Sequence, residues 1–458
     1  MKNTDETMNA PRLRRTLTLR DLILYGVIVV QPVAPMSVFG VLNNRSGGHA
    51  VTTILIAMIA MLFTAISYGR MARVYPSAGS AFTYVGQEIS PSLGYITGWG
   101  MVMDYMLNPL ICTIWCSQQA HVFAPQVPYW AWAIFFVFLF TGLNLRGVET
   151  SAHVNAGLAA GMGVVIAIFF VVAARYIFGH PHGGTTFFLQ PFYNPSTWNS
   201  KSILGGTSIA VLTYIGFDGI STLSEEVENP RRNILLATVL TCLVIGILSA
   251  IEVYAAQLIW PSWLPYPNID TAFVHVAARA WPPMLAIVGV TLLVANFGSG
   301  MGAQLGAARL LYGMGRSGAL PKSFFGAVDP KRRVPLNNVI FVGVVALIGA
   351  FSMSFALGVE MLNFGALIAF MGVNAAAFLH YFVRGKEKKL THFLPPVAGF
   401  CICLVLWVNL SRNAIVAGLI WMAIGISFGA WKTKGFRKNL INLELPQEEP
   451  SSISPEDV

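Results

Sequence analysis

Two acids stand inside long apolar stretches, Asp104 in Met103-Asp104-Tyr105 and Asp218 in Tyr214-Ile-Gly-Phe-Asp-Gly219. A carboxylate taken out of water is costly unless it holds a cation, a proton or hydrogen-bond donors. Asp104 therefore reads as an ammonium partner or proton carrier, or else as a hydrogen-bonded structural acid. Asp218 follows Gly216 and Phe217. It either lines a site or caps a half-helix by taking its free amides. A second polar stretch, Gln31-Pro32-Val-Ala34-Pro35-Met-Ser37, lies in the first apolar run with Gly40 close behind. Proline removes an amide donor and clashes with the preceding turn, so this pair predicts an unwound helix at mid-depth. Gly216 and Gly219 around Asp218 predict a second break. No nucleophile elbow, P-loop or metal-ligand cluster accompanies these residues, which speaks against an enzyme and against ATP drive within this chain.

The elements that must position these groups are membrane helices. The chain has 458 residues, 55% hydrophobic and 11% charged, too few charges to cover the surface of a soluble protein of this size. Its apolar runs lack period-two alternation and are long enough to span a bilayer, so they are helical. Twelve are predicted, near 19–43, 51–71, 89–119, 129–146, 153–178, 203–227, 232–260, 282–313, 336–355, 359–383, 393–410 and 413–432. The breaks fall in the first and sixth. Corresponding breaks five helices apart predict a transporter built as an inverted repeat, with its site between the halves. Exposed half-helix amides there attract carboxylates, and exposed carbonyls attract ammonium groups or cations. Proline and glycine kinks that only shape packing are the alternative.

Lys and Arg set the orientation. The loops that a cytoplasmic N-terminus would place inside hold Arg12, Arg14, Arg15, Arg20, Arg70, Arg73, Arg146, Arg231, Arg232, Arg309, Arg316, Lys322, Arg332, Arg384, Lys388, Lys432 and Lys438 among others. The opposite loops hold only Arg45, Arg175, Lys201, Arg279 and Arg412. Both termini are thus expected in the cytoplasm. The net charge of +9 is a topology signal and gives no case for nucleic acid. Residues 1–18 read as a short tail. Thr18 to Asp21 forms a capping-box pattern, and the acidic segment 436–458 reads as a polar tail. The five cysteines lie in apolar runs, and Cys112 and Cys116 share a helix face without a His or acid, so no metal site is expected. His180 and His182 sit in a Gly-rich loop and read as ordinary loop residues.

At these residues the chain resembles the amino acid–polyamine–organocation superfamily over about 15–435. The stretch from Gly216 to Arg232 resembles its sixth helix and following loop. Ser67-Tyr-Gly-Arg70 with Pro76 to Tyr84 resembles the second helix and the loop beyond. Arg309 to Arg316 and Asn363-Phe-Gly-Ala-Leu367 resemble the eighth and tenth. Within the superfamily the chain is most similar to bacterial putrescine importers, through Leu62 to Gly69, Gly98-Trp99, Asp104-Tyr105, Leu223-Ser-Glu-Glu226 and Trp407 to Leu410. The resemblance implies an all-α inner-membrane protein with a five-plus-five repeat (about 19–178 and 203–383), two extra helices (393–432) and alternating access. It also implies that Tyr105 belongs to a substrate site.

The chain departs from those importers at Ser37, where they carry an aspartate. The Gly-Ser-Gly turn by which amino-acid carriers grip a carboxylate is replaced by Gln31-Pro32-Val-Ala34. The fifth helix lacks the lysine of proton-coupled relatives. Ser299 stands where sodium-coupled relatives place a hydroxyl ligand, although its Gly-rich surroundings equally suit close helix packing. Glu225 and Glu226 are expected to form a gate or a loop-locking ion pair with nearby arginines. Phe217 and Trp115 either cover the substrate or simply pack.

The expected function is a secondary carrier importing a small amine, putrescine-like or an amino acid, with protons (alternatively sodium) as coupling ion and no bound cofactor. An amino acid permease or exchanger without polyamine activity is the alternative, and a sensor or channel a remoter one. Its expected partners are the solute and the lipid bilayer, as a monomer or weak homo-oligomer.

Overall fold

A computed structural model describes residues 17–75, 80–146, 152–223, 227–263, 265–316, 320–329 and 334–435. Residues 1–16 and 436–458, and so most of both expected tails, lie outside the described residues, as do Glu225 and Glu226. Among the described residues the chain is helical. The exception is a single bridge between Leu17 and Val227, where Glu228 N–H donates to the Leu17 carbonyl at 2.9 Å. That bridge ties the entrance of the first helix to the loop after the sixth.

In chain order the helices are α1 (Leu19–Val30), α2 (Ala34–Arg45), α3 (Ala50–Val74), α4 (Ser80–Glu88), α5 (Pro91–Phe123), α6 (Tyr129–Leu145), α7 (Ala152–Gly179), α8 (Thr185–Leu189), α9 (Ser200–Ala210), α10 (Pro230–Ile259), α11 (Ala272–Ala280), α12 (Met284–Arg316), α13 (Lys322–Phe325), α14 (Leu336–Ser352), α15 (Phe355–Phe378), α16 (Leu390–Val408) and α17 (Arg412–Thr433). Eight spans are long and apolar enough to cross a membrane, one of them the interrupted stretch from Ser200 to Ser221, and the bent pair α1 and α2 makes a ninth. The apolar α6 and α14, at 17 residues each, and α5, at 33, complete twelve among the described residues. At 1.5 Å per residue even the shorter two run about 25 Å.

Local chemistry explains where the helices start. Thr18 accepts from Asp21 N–H at 3.4 Å and its own amide donates to the Asp21 carboxylate at 2.9 Å, so the capping box closes as expected. Ser90 accepts from Leu93 N–H at 3.2 Å, with Pro91 at the first helical position, where its missing N–H costs nothing. The short α4 is new relative to the sequence reading. Its last residue, Glu88, is buried and receives Arg384 at 2.6 Å, His380 at 2.8 Å and the Tyr75 hydroxyl at 2.9 Å. Burial and the bond to Glu88 push the Tyr75 phenol up to about 12, so it stays a donor at neutral pH. This knot ties the end of α4 to the residues that follow α3 and α15.

Candidate functional site

The first break is a turn of three residues, Gln31-Pro32-Val33, that bends α1 against α2 by 47°. Gln31 takes a positive φ of 64°, a conformation that costs a side-chain-bearing residue on the order of 1 kcal/mol or more. Its side-chain amide donates to the Ala295 carbonyl on α12 at 2.9 Å, which holds it there. Tight turns take two of the amides at this break. Ala34 N–H goes to the Gln31 carbonyl at 3.0 Å, Met36 N–H to the Val33 carbonyl at 3.1 Å, and the buried Pro32 and Pro35 have none.

The second break follows α9. The chain tightens to a 3-10 turn over Val211–Tyr214, opens at Ile215 and Gly216, and resumes as 3-10 helix over Phe217–Leu223. Gly216 has φ +113°, and a Cβ there would stand 3.1 Å from Val29 Cγ1 on α1, so only glycine fits. Asp218 follows directly. Its carboxylate accepts backbone amides of Gly216 and Gly219 as well as its own. Gly219 N–H also donates to the Gly216 carbonyl at 3.0 Å.

Asp104 reaches this place from α5. Gly365 on α15 permits it, because a Cβ there would collide with the Gly100 carbonyl and stand 3.3 Å from the Asp104 amide. Helices α5 and α15 thus cross with their backbones almost touching at Asp104. Asp104 and Asp218 are close enough to interact electrostatically, and Tyr68 and Tyr105 lie within reach of both. Each acid is 8% exposed, so the broken helices are closed over them. An aromatic cluster packs beside them. Tyr68 meets Phe217 edge-on at 5.5 Å, Phe370 at 5.9 Å and Tyr84 at 6.1 Å, and Phe217 lies 5.4 Å from Phe370. The buried Tyr68 hydroxyl has no hydrogen-bond partner among the described residues. Tyr68, Tyr84 and Phe370 were not read as site residues, although Tyr68 lies in the Ser67-Tyr-Gly-Arg70 motif.

Ser37 belongs to a second polar layer, further into α2. Its hydroxyl accepts from Asn296 at 2.9 Å, and its carbonyl accepts from the buried Trp115 indole at 3.1 Å. Trp115 stands 11 residues beyond Asp104 on α5, about 16 Å along the axis. Ser299 donates to Asn108 at 3.4 Å, and Cys112 also donates to Asn108, at 3.3 Å. Half-buried Ala34 and Gln31 lie at the break between the layers. Among the described residues no group of three or more His, Cys, Asp or Glu is placed to hold a metal ion.

This arrangement, two carboxylates and an aromatic cluster at paired helix breaks, suits a desolvated amine. Comparison with known proteins points the same way. The family model for amino acid permeases matches residues 36–443. The low-affinity putrescine importer PlaP of Escherichia coli (strain K12) is 36% identical over 95% of this chain and 97% of its own. The branched-chain amino acid permease BcaP of Bacillus subtilis (strain 168) is 25% identical over 92% and 93%. Cationic amino acid transporter 3 of Arabidopsis thaliana is 28% identical over 83% and 64%. The chain is a multi-pass membrane transporter and belongs to the amino acid permease family.

Proposed function

We propose that the protein imports a small diamine of the putrescine type by alternating access, coupled to protons. The pairing of Asp104 with Asp218 beside one aromatic cluster carries this reading. Two ammonium groups leaving water each need an anionic acceptor, since an unpaired buried charge costs several kcal/mol. An α-amino acid needs one such acceptor and free amides for its carboxylate. Several of those amides are taken, by tight turns at the first break and by the Asp218 carboxylate at the second, and two prolines have none. Amino acids are the second reading, favoured by Ser37 where a third acid would serve a diamine. Proton coupling rests on Asp104, a buried carboxylate inside a membrane helix that can take up and release a proton during transport.

The test is uptake into proteoliposomes of labelled putrescine, arginine, alanine and an aromatic amino acid, with an imposed pH gradient or a sodium gradient. Putrescine should accumulate under the pH gradient alone, and arginine and alanine should compete weakly. Accumulation of alanine without putrescine would replace the diamine by an amino acid, and dependence on sodium would overturn proton coupling.

Orientation follows the loop charges, with both termini cytoplasmic. A reporter fused after Lys438 should be active only in its cytoplasmic form, and a periplasmic signal would refute the even helix count.

A further inference from the structure

Of the five cations in the sparsely charged loops, three meet at one cleft of about 520 Å³. Arg45 comes from the end of α2, Lys201 from the start of α9 and Arg412 from the start of α17. The nearest acid is spent within the fold. Buried Glu360 on α15 pairs with Arg45 Nε at 3.7 Å and accepts Ser411 N–H at 3.0 Å. Neither Lys201 nor Arg412 has an ion-pair partner among the described residues. The amino ends of α9 and α17, helices of 11 and 22 residues, also meet here and add their positive dipole ends. The lining also holds an apolar set, Ile415 with Val408, 53% exposed, and Val416, 49% exposed.

We propose that this cleft binds an acidic phospholipid, its phosphate against Lys201 and Arg412 and an acyl chain along Val408, Ile415 and Val416. A free phosphate would satisfy the cations but leave the apolar set uncovered. A zwitterionic lipid would bring its own ammonium group to a site that already carries unpaired positive charge. The cleft joins the outer halves of both broken helices to the turn between α16 and α17, so a headgroup bound here ties all three together.

The test uses the full chain in nanodiscs of phosphatidylcholine alone or mixed with phosphatidylglycerol, reading retained lipid by native mass spectrometry and the unfolding temperature. Phosphatidylglycerol should be retained preferentially and should raise the unfolding temperature. At about 1 kcal/mol per cation, K201Q/R412Q should weaken its retention about 30-fold and K201Q alone about fivefold. Arg175→Gln, outside the cleft, should leave it unchanged. The single variant and the wild-type lipid preference keep the test decisive if the double variant folds poorly. No preference in the wild type, or K201Q/R412Q and K201Q both retaining the lipid as the wild type does, would overturn the proposal. So would inorganic phosphate in phosphatidylcholine discs reproducing the full shift, which would make the cleft a free-anion site.

Discussion

Asp104→Asn should abolish amine uptake, with apparent affinity falling more than about 100-fold. The change keeps shape and removes only the charge. The ammonium it pairs with would then sit buried beside Asp218, whose carboxylate already takes three backbone amides. Removing one partner of a buried pair costs about 3–5 kcal/mol, and each 1.4 kcal/mol is tenfold in binding. Ser37→Asp should act in the opposite direction. A carboxylate there would stand beside Asn296, in the second polar layer, and add a third acid to Asp104 and Asp218. It should improve diamine affinity and leave monoamines little changed. Transport rates with labelled putrescine, on protein whose elution profile and unfolding temperature match the wild type, check both. Normal transport by Asp104→Asn would make the acid structural and remove the amine-pairing argument.

Gly216→Val should eliminate transport and lower the unfolding temperature. Its φ of +113° is open to glycine and strained for a β-branched residue, and the new side chain would press on Val29. The second break would have to reform, moving Phe217 and Asp218 away from Tyr68 and Asp104. Gly298→Ala on α12 is the control, because nothing lies within 4 Å of the added methyl. That variant should transport normally. Equal activity of both variants would mean that the second break is not held in this conformation for function.

Much of this was legible in the sequence, because length and hydropathy alone decide a membrane helix. The twelve spans, the Thr18 cap and the two breaks all lie where proline, glycine and apolar runs put them. What stayed hidden depends on contacts between distant segments. Tyr68 looks like one more apolar residue of α3 until α4, the sixth span and α15 bring Tyr84, Phe217 and Phe370 around it. Gly365 reads as packing until its approach to Gly100 and Asp104 is seen. Linear spacing could not tell that Ser37 is held by Asn296 and Trp115, three turns of α5 beyond Asp104. Nor could it tell that the Ala34 and Met36 amides of the first break are taken by tight turns. That last feature shifts the substrate argument toward a diamine.

The central claim is that the amine sits between the broken helices, against Asp104 and Asp218. Its most direct test is thiol labelling at Tyr105, a half-buried neighbour of both acids. The other cysteines are buried apart from Cys401, so Tyr105→Cys in a Cys401→Ser background offers one reactive thiol. Saturating putrescine should slow labelling of that thiol at least about tenfold, the occlusion expected when a bound ligand loses most of its contact with water. An unchanged labelling rate, in a variant that still exchanges putrescine, would contradict the account and place the site elsewhere.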